Sequence, residues 1–109
     1  MEIKDHINIA TDFSDHPGSR YIEDGAFSGQ DFLEKILLPR FEKAVRENYL
    51  LEINLDKVYG YPSSFISGSF GKLSIEKGGE LLLKHIVLIS NDNPLNAEKI
   101  NREIKNPKK

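Results

Sequence analysis

The chain has 109 residues, of which 39% are hydrophobic, six Phe and four Tyr among them. This is enough apolar material for one domain with one core, because a chain of this length buries roughly 65% of its unfolded surface, and it argues against disorder. Fifteen Lys and Arg against seventeen Asp and Glu give a formal charge of −2, which argues against a generally basic nucleic-acid binder. The absence of Cys removes disulfides, thiolate nucleophiles and cysteine-ligated metal centres, so stability has to come from packing.

Apolar runs such as Ile86 to Ile89 fall far short of the ~20 residues a membrane span needs. The start Met1-Glu2-Ile3-Lys4-Asp5 lacks a signal-peptide pattern, so a soluble, cytoplasmic protein is expected.

Ile3, Ile7 and Ile9, followed by Tyr21 and Ile22, mark two short strands around the turn former Pro17-Gly18. Phe32, Leu33, Ile36, Leu37, Phe41, Ala44 and Val45 then share one helical face, which predicts a helix from about Gly29 to Asn48. Ser28 is its N-cap with Asp31 three residues on, and the interior Pro39 predicts a kink or two abutting helices near Leu38. Leu51, Ile53 and Leu55 alternate with polar neighbours as a half-buried strand, and a turn follows at Tyr59-Gly60-Tyr61-Pro62. Ser63 to Leu73 reads as a short helix weakened by internal glycines, with Gly78-Gly79 ending the helical stretch. Ile86 to Ile89 reads as a central strand covered on both faces. Asn93-Pro94 opens a last helix with Ala97, Ile100 and Ile104 inward, and Asn106 to Lys109 reads as a frayed basic tail.

The order β, β, α, β, α, β, α without repeats or a long linker predicts a single domain over residues 1–109. Its class is α/β, with α+β as the alternative: a small mixed sheet packed by about three helices.

Few residues suggest chemistry. His6, His16 and His85 are scattered without metal-pair spacing, so no metal or cofactor is expected, and His85 reads as a partly exposed strand-edge residue. A triad of Ser64, His85 and Asp92 lacks a nucleophile elbow, and Gly68-Ser69-Phe70-Gly71-Lys72 lacks both the upstream glycine and the magnesium-binding hydroxyl of a phosphate loop. Gly68 and Gly71 instead suggest close approach of a helix to the sheet or to a partner. The pairs Asp12 with Asp15 and Glu23 with Asp24 read as solvated loop charges, and Lys99, Arg102, Lys105, Lys108 and Lys109, interleaved with Glu98 and Glu103, as a solvated helix face. No enzymatic activity is expected.

The most informative stretch runs from Asn54 to Phe65, where a strand and a short loop lead to Ser63 and Ser64 in the first turn of a helix. A serine there caps free amide donors, and the same donors and helix dipole stabilise an added phosphate. Spacing alone leaves Ser63 as an N-cap or as a phosphate acceptor.

The pattern L-D-K-V-Y-G-Y-P-S-S-F resembles the phosphorylation-site region of STAS domains, the module of sulfate transporters and anti-sigma factor antagonists. The segments I-A-T-D-F-S-D-H-P-G-S-R, S-G-Q-D-F and Y-P-S-S-F-I-S-G-S-F-G-K-L further resemble a STAS-like family of uncharacterised bacterial proteins, from about residue 7 to 104. The resemblance implies a regulatory protein-binding module whose switch serine is Ser63 or Ser64. It implies a partner that is a histidine-kinase-like ATPase or serine kinase. In that picture Ser67, Gly68, Ser69 and Gly71 offer a low-relief docking face with Tyr59 and Tyr61 at its rim. A free edge strand or helix face is also compatible with a homodimer. The rival reading is a small-ligand or nucleotide-binding module with an anion pocket built from Asp12, Arg20 and Ser63.

Overall fold

Alternating apolar residues around Ile7, Leu51 and Ile53, and the run Ile86–Ile89, form three strands in the computed structural model, which describes residues 1–108. They are β1 (Ile3–Asn8), β2 (Leu50–Asn54) and β3 (Ile86–Ile89), in the order β1-β2-β3. Ile7 lies opposite Ile53, and Ile53 opposite Leu88. The α/β class is as expected, but both strand pairs are parallel where a mixed sheet was expected. Helical crossovers between successive strands return the chain to the same end of the sheet each time, which forces the parallel arrangement. The expected central strand β3 is instead an edge, with Val87 to Ile89 only half buried. A branched apolar run reports strand propensity and not position in the sheet.

Ile9, expected on a strand, lies in the one-turn helix α1 (Ile9–Asp12). Asn8 caps it, accepting from the Thr11 N–H, while the Asp12 carboxylate accepts from the Asn8 N–H at 2.8 Å. Tyr21 and Ile22 form no strand; Ile22–Asp24 is a 3₁₀ turn. The flanking backbone is committed to helix entry, with Gly29 and Gln30 N–H groups donating to the Ser19 and Arg20 carbonyls.

Helix α2, residues 29–47, starts as expected: the buried Ser28 hydroxyl accepts from the Asp31 N–H at 3.0 Å. Pro39 does not end it. The helix widens into a π turn over Leu33–Leu37, where the Leu38 N–H donates to the Leu33 carbonyl, and continues as Leu38–Glu47. A proline ring displaces the carbonyl four residues back and supplies no N–H, and one widened turn absorbs both defects. Asn48, in the left-handed region at φ 59°, stops the helix, with the Tyr49 N–H returning to Ala44.

Helix α3, residues 63–77, contains a second π turn over Ser67–Gly71, where the Lys72 N–H donates to the Ser67 carbonyl. The Ser69 hydroxyl donates to the Phe65 carbonyl at 2.7 Å, satisfying an acceptor in the widened stretch. At Gly78, φ 93° turns the chain into α4 (Gly79–His85), a helix that glycine punctuation had concealed. Helix α5 (Pro94–Lys105) is as expected, capped by Asn93 and burying Ile100 and Ile104.

The core joins Ile7, Leu51 and Ile53 to Phe32, Phe41, Phe65, Phe70, Leu82 and Ile100. Phe32 stands between Phe65 and Phe70, at ring separations of 5.7 and 6.0 Å. The opposite sheet face carries His6 and Glu52, whose Nδ1 and Oε1 are 3.0 Å apart. Beyond the end of α5 at Lys105 the chain leaves helix, and the Lys108 N–H donates to buried Glu103 at 2.9 Å; Lys109 lies outside the described residues.

Candidate functional site

In open parallel sheets the chain ends of the strands gather loops at one edge, and here that edge carries the β2–α3 and β3–α5 loops. The two are stitched together. Asp56 accepts from the Asn91 and Asp92 N–H groups at 2.7 and 3.0 Å, and Asp92 accepts from the Lys57 N–H at 2.8 Å. These backbone bonds, led by that from Asp92, hold the Asp56 carboxyl below its ordinary value. They also hold Lys57 in the left-handed region, φ 68°, uncommon for a side-chain-bearing residue.

Beyond that bend the Tyr59 N–H donates to the Asp15 carbonyl at 2.8 Å, and the Tyr59 side chain is 88% exposed. Tyr61 points inward, donating from its hydroxyl to the Leu55 carbonyl at 2.8 Å. Burial, with Asp92 and Asp56 nearby, pushes that phenol well above its ordinary value. Lys99 of α5 donates to the Tyr61 carbonyl at 3.1 Å.

Pro62, extended at ψ 144°, occupies the cap position of α3, and Ser63 is the first helical residue. Among the described residues no side chain caps this end, so the N-cap reading of Ser63 is replaced by one in which Ser63 is exposed and its hydroxyl makes no hydrogen bond to a described residue. Ser64 is half buried. Ser63 lines a cleft of about 360 Å³ with Ile66, Lys99, Arg102, Glu103 and Lys108. Among the described residues none of these three cations has an ion-pair partner.

The expected docking face does not face outward. Tyr61, Ser67, Gly68, Ser69 and Gly71 are all buried inside the protein. A Cβ on Gly68 would stand 2.7 Å from the Arg20 carbonyl oxygen, and one on Gly29 would stand 2.5 Å from the Phe65 carbonyl oxygen. A Cβ on Gly71 would meet the Glu103 carboxylate at 2.6 Å. The small residues let α2, the Arg20 loop and α5 close onto α3, so the glycines serve intramolecular packing. Of that set only Tyr59 remains exposed.

Of the residues expected to form an anion pocket, Arg20 lines one cleft with Gln30, Glu34, Gly68 and Lys72, Ser63 lines another, and Asp12 accepts from the Asn8 N–H at the start of α1. His85 is buried, with Nδ1 3.0 Å from the Tyr49 carbonyl, not partly exposed. It precedes β3 while Asp92 follows it, so a triad with Ser64 is not assembled. The cations beside Ser63, Lys99, Arg102 and Lys108, were visible in sequence as part of a cluster read as a solvated helix face, and nothing there pointed to the helix they face.

A family model for a STAS-like domain of unknown function (DUF4325) matches residues 28–96, well over half of the chain. The chain belongs to this family. The matched part of the STAS-like domain runs from the cap of α2 into α5, and so includes the loop and serine turn, whereas β1 and the first loop lie outside it. No curated protein and no solved structure matches the chain. No described helix is long and apolar enough to cross a membrane.

Proposed function

We propose that this STAS-like domain is a non-enzymatic regulatory module that binds a partner protein and is switched by phosphorylation of Ser63. The observation that carries the reading is the exposed, uncapped Ser63 hydroxyl at the head of α3, on the rim of a cleft lined by three cations. Ser64 is the less accessible acceptor. The resemblance to anti-sigma factor antagonists supports a partner that is a histidine-kinase-like ATPase acting as serine kinase.

In the transfer the Ser63 oxygen bonds to the γ-phosphorus of ATP, the bond to the β-phosphate oxygen breaks, and ADP leaves. The hydroxyl proton passes to a base of the kinase. The product carries ~1.5 to 2 added negative charges on a small, exposed side chain. With the small residues of α3 buried, docking falls to the exposed Tyr59, Gly60, Pro62 and Ser63, where Tyr59 supplies an amphipathic anchor.

The test is affinity capture from host lysate with Mg-ATP, reading retained proteins and the phosphorylation state of the Ser63 peptide by mass spectrometry. The expected result is a stoichiometric ATPase-like partner and phosphate on Ser63, with capture weakened by Ser63→Asp. Equal capture by wild type, Ser63→Ala and Ser63→Asp, with an unmodified peptide, overturns the reading.

A further inference from the structure

We propose that a phosphate on Ser63 is held by Lys99 and Arg102 of the same chain, so that modification latches α3 to α5. The inference rests on Ser63 as acceptor but not on the identity of any kinase or partner.

Ser63 and the two cations belong to elements 36 and 39 residues apart in sequence, yet they line one cleft. Lys99 already reaches the mouth of α3, where its ammonium donates to the Tyr61 carbonyl two residues before Ser63. Arg102 follows one helical turn later on the same side of α5. Both lack an ion-pair partner among the described residues. The opposing charge is Glu103, buried and already accepting from the Lys108 N–H at 2.9 Å.

A phosphate introduced here has three acceptor oxygens, and Arg and Lys supply charge-assisted donors. For Lys99, a phosphate dianion on Ser63 is a stronger partner than the neutral Tyr61 carbonyl it now holds. The latch therefore adds a charged contact at the head of α3 to the close packing of α3 on α5 at Gly71 and Glu103, and neutralises the cations that line the cleft beside Ser63.

The experiment uses the full chain with phosphoserine installed at position 63 by genetic encoding, in wild-type and Lys99→Gln/Arg102→Gln backgrounds. Phosphorus NMR follows the second phosphate ionisation, ordinarily near ~6. It is expected to fall by about one pH unit in the wild-type background and to recover most of that in the double variant, where only Lys108 remains of the three cations. Thermal unfolding is expected to shift upward by roughly 5 °C on phosphorylation in the wild-type background alone. An ionisation near 6 in both backgrounds, with equal thermal shifts, overturns the latch. Because no kinase enters, that result leaves the switch to be judged by lysate capture, and failed capture leaves the latch to be judged here.

Discussion

Asp56 and Asp92, two carboxylates on different loops, brace each other's backbone: Asp56 accepts the Asp92 N–H at 3.0 Å, and Asp92 accepts the N–H of Lys57, the residue after Asp56. Like charges approach here because backbone donors neutralise them. The brace sets the path on which Tyr59 and Ser63 are displayed.

The carboxyl of Asp56 titrates below its ordinary 3.8 in the folded protein. A group whose folded value is depressed contributes stability above its unfolded value and loses it as pH falls through the folded one. Wild type is therefore expected to lose stability from about pH 4 downward through this group. Asp56→Asn should be less stable at pH 7 and show a flatter acid limb. Equal pH profiles in urea unfolding would count against the brace.

Glycines at helix contacts should differ in cost according to what a methyl group meets. Gly29→Ala and Gly68→Ala press on backbone atoms at 2.5 and 2.7 Å, which cannot swing aside. Each should cost about 3 kcal/mol, the upper end for overpacking. Gly71→Ala meets the Glu103 side chain, carboxylate and methylene, and should cost about 1 kcal/mol as that side chain shifts. Denaturant midpoints give the ranking, and equal losses at all three sites would contradict it.

Tyr61→Phe removes the hydroxyl that donates to the carbonyl of buried Leu55, just past β2, while keeping the ring against Phe65, 6.2 Å away. The expected loss is about 1 to 2 kcal/mol, because an acceptor is left without its donor. Amide exchange should speed up first in the loop from Leu55 to Pro62. A loss confined to global unfolding would mean that the bond does not organise the loop.

Tyr59 is 88% exposed, so Tyr59→Ala should change stability by less than about 0.5 kcal/mol. Under the proposed function the same variant should weaken partner capture at least about tenfold, as loss of an aromatic anchor does. Capture at wild-type level by the folded variant would move the interface elsewhere.

Local chemistry was readable wherever a few consecutive residues decide the outcome. The Ser28 cap, the strand through Leu51 and Ile53, and the opening of α5 at Asn93-Pro94 all rest on donors, acceptors and periodicities within one element. Pro39 was read correctly as a disturbance, but not as a π turn, because the widened turn is stabilised by the core that Leu33 and Leu37 enter. Strands expected at Ile9 and Tyr21 failed for a related reason: β-prone side chains do not make a strand when neighbouring backbone donors are already engaged elsewhere.

Composition, periodicity and capping in the sequence by themselves determined an α/β domain with a serine turn after the strand through Leu51 and Ile53. Only tertiary structure decided which surfaces remain. The small residues of α3 look alike on paper whether they meet a partner or the protein's own α2 and α5, and burial against Gly29, Arg20 and Glu103 settled it. The same long-range packing set Lys99 and Arg102 beside Ser63, a relation between helices that no local pattern encodes, because it depends on where the whole core seats α5.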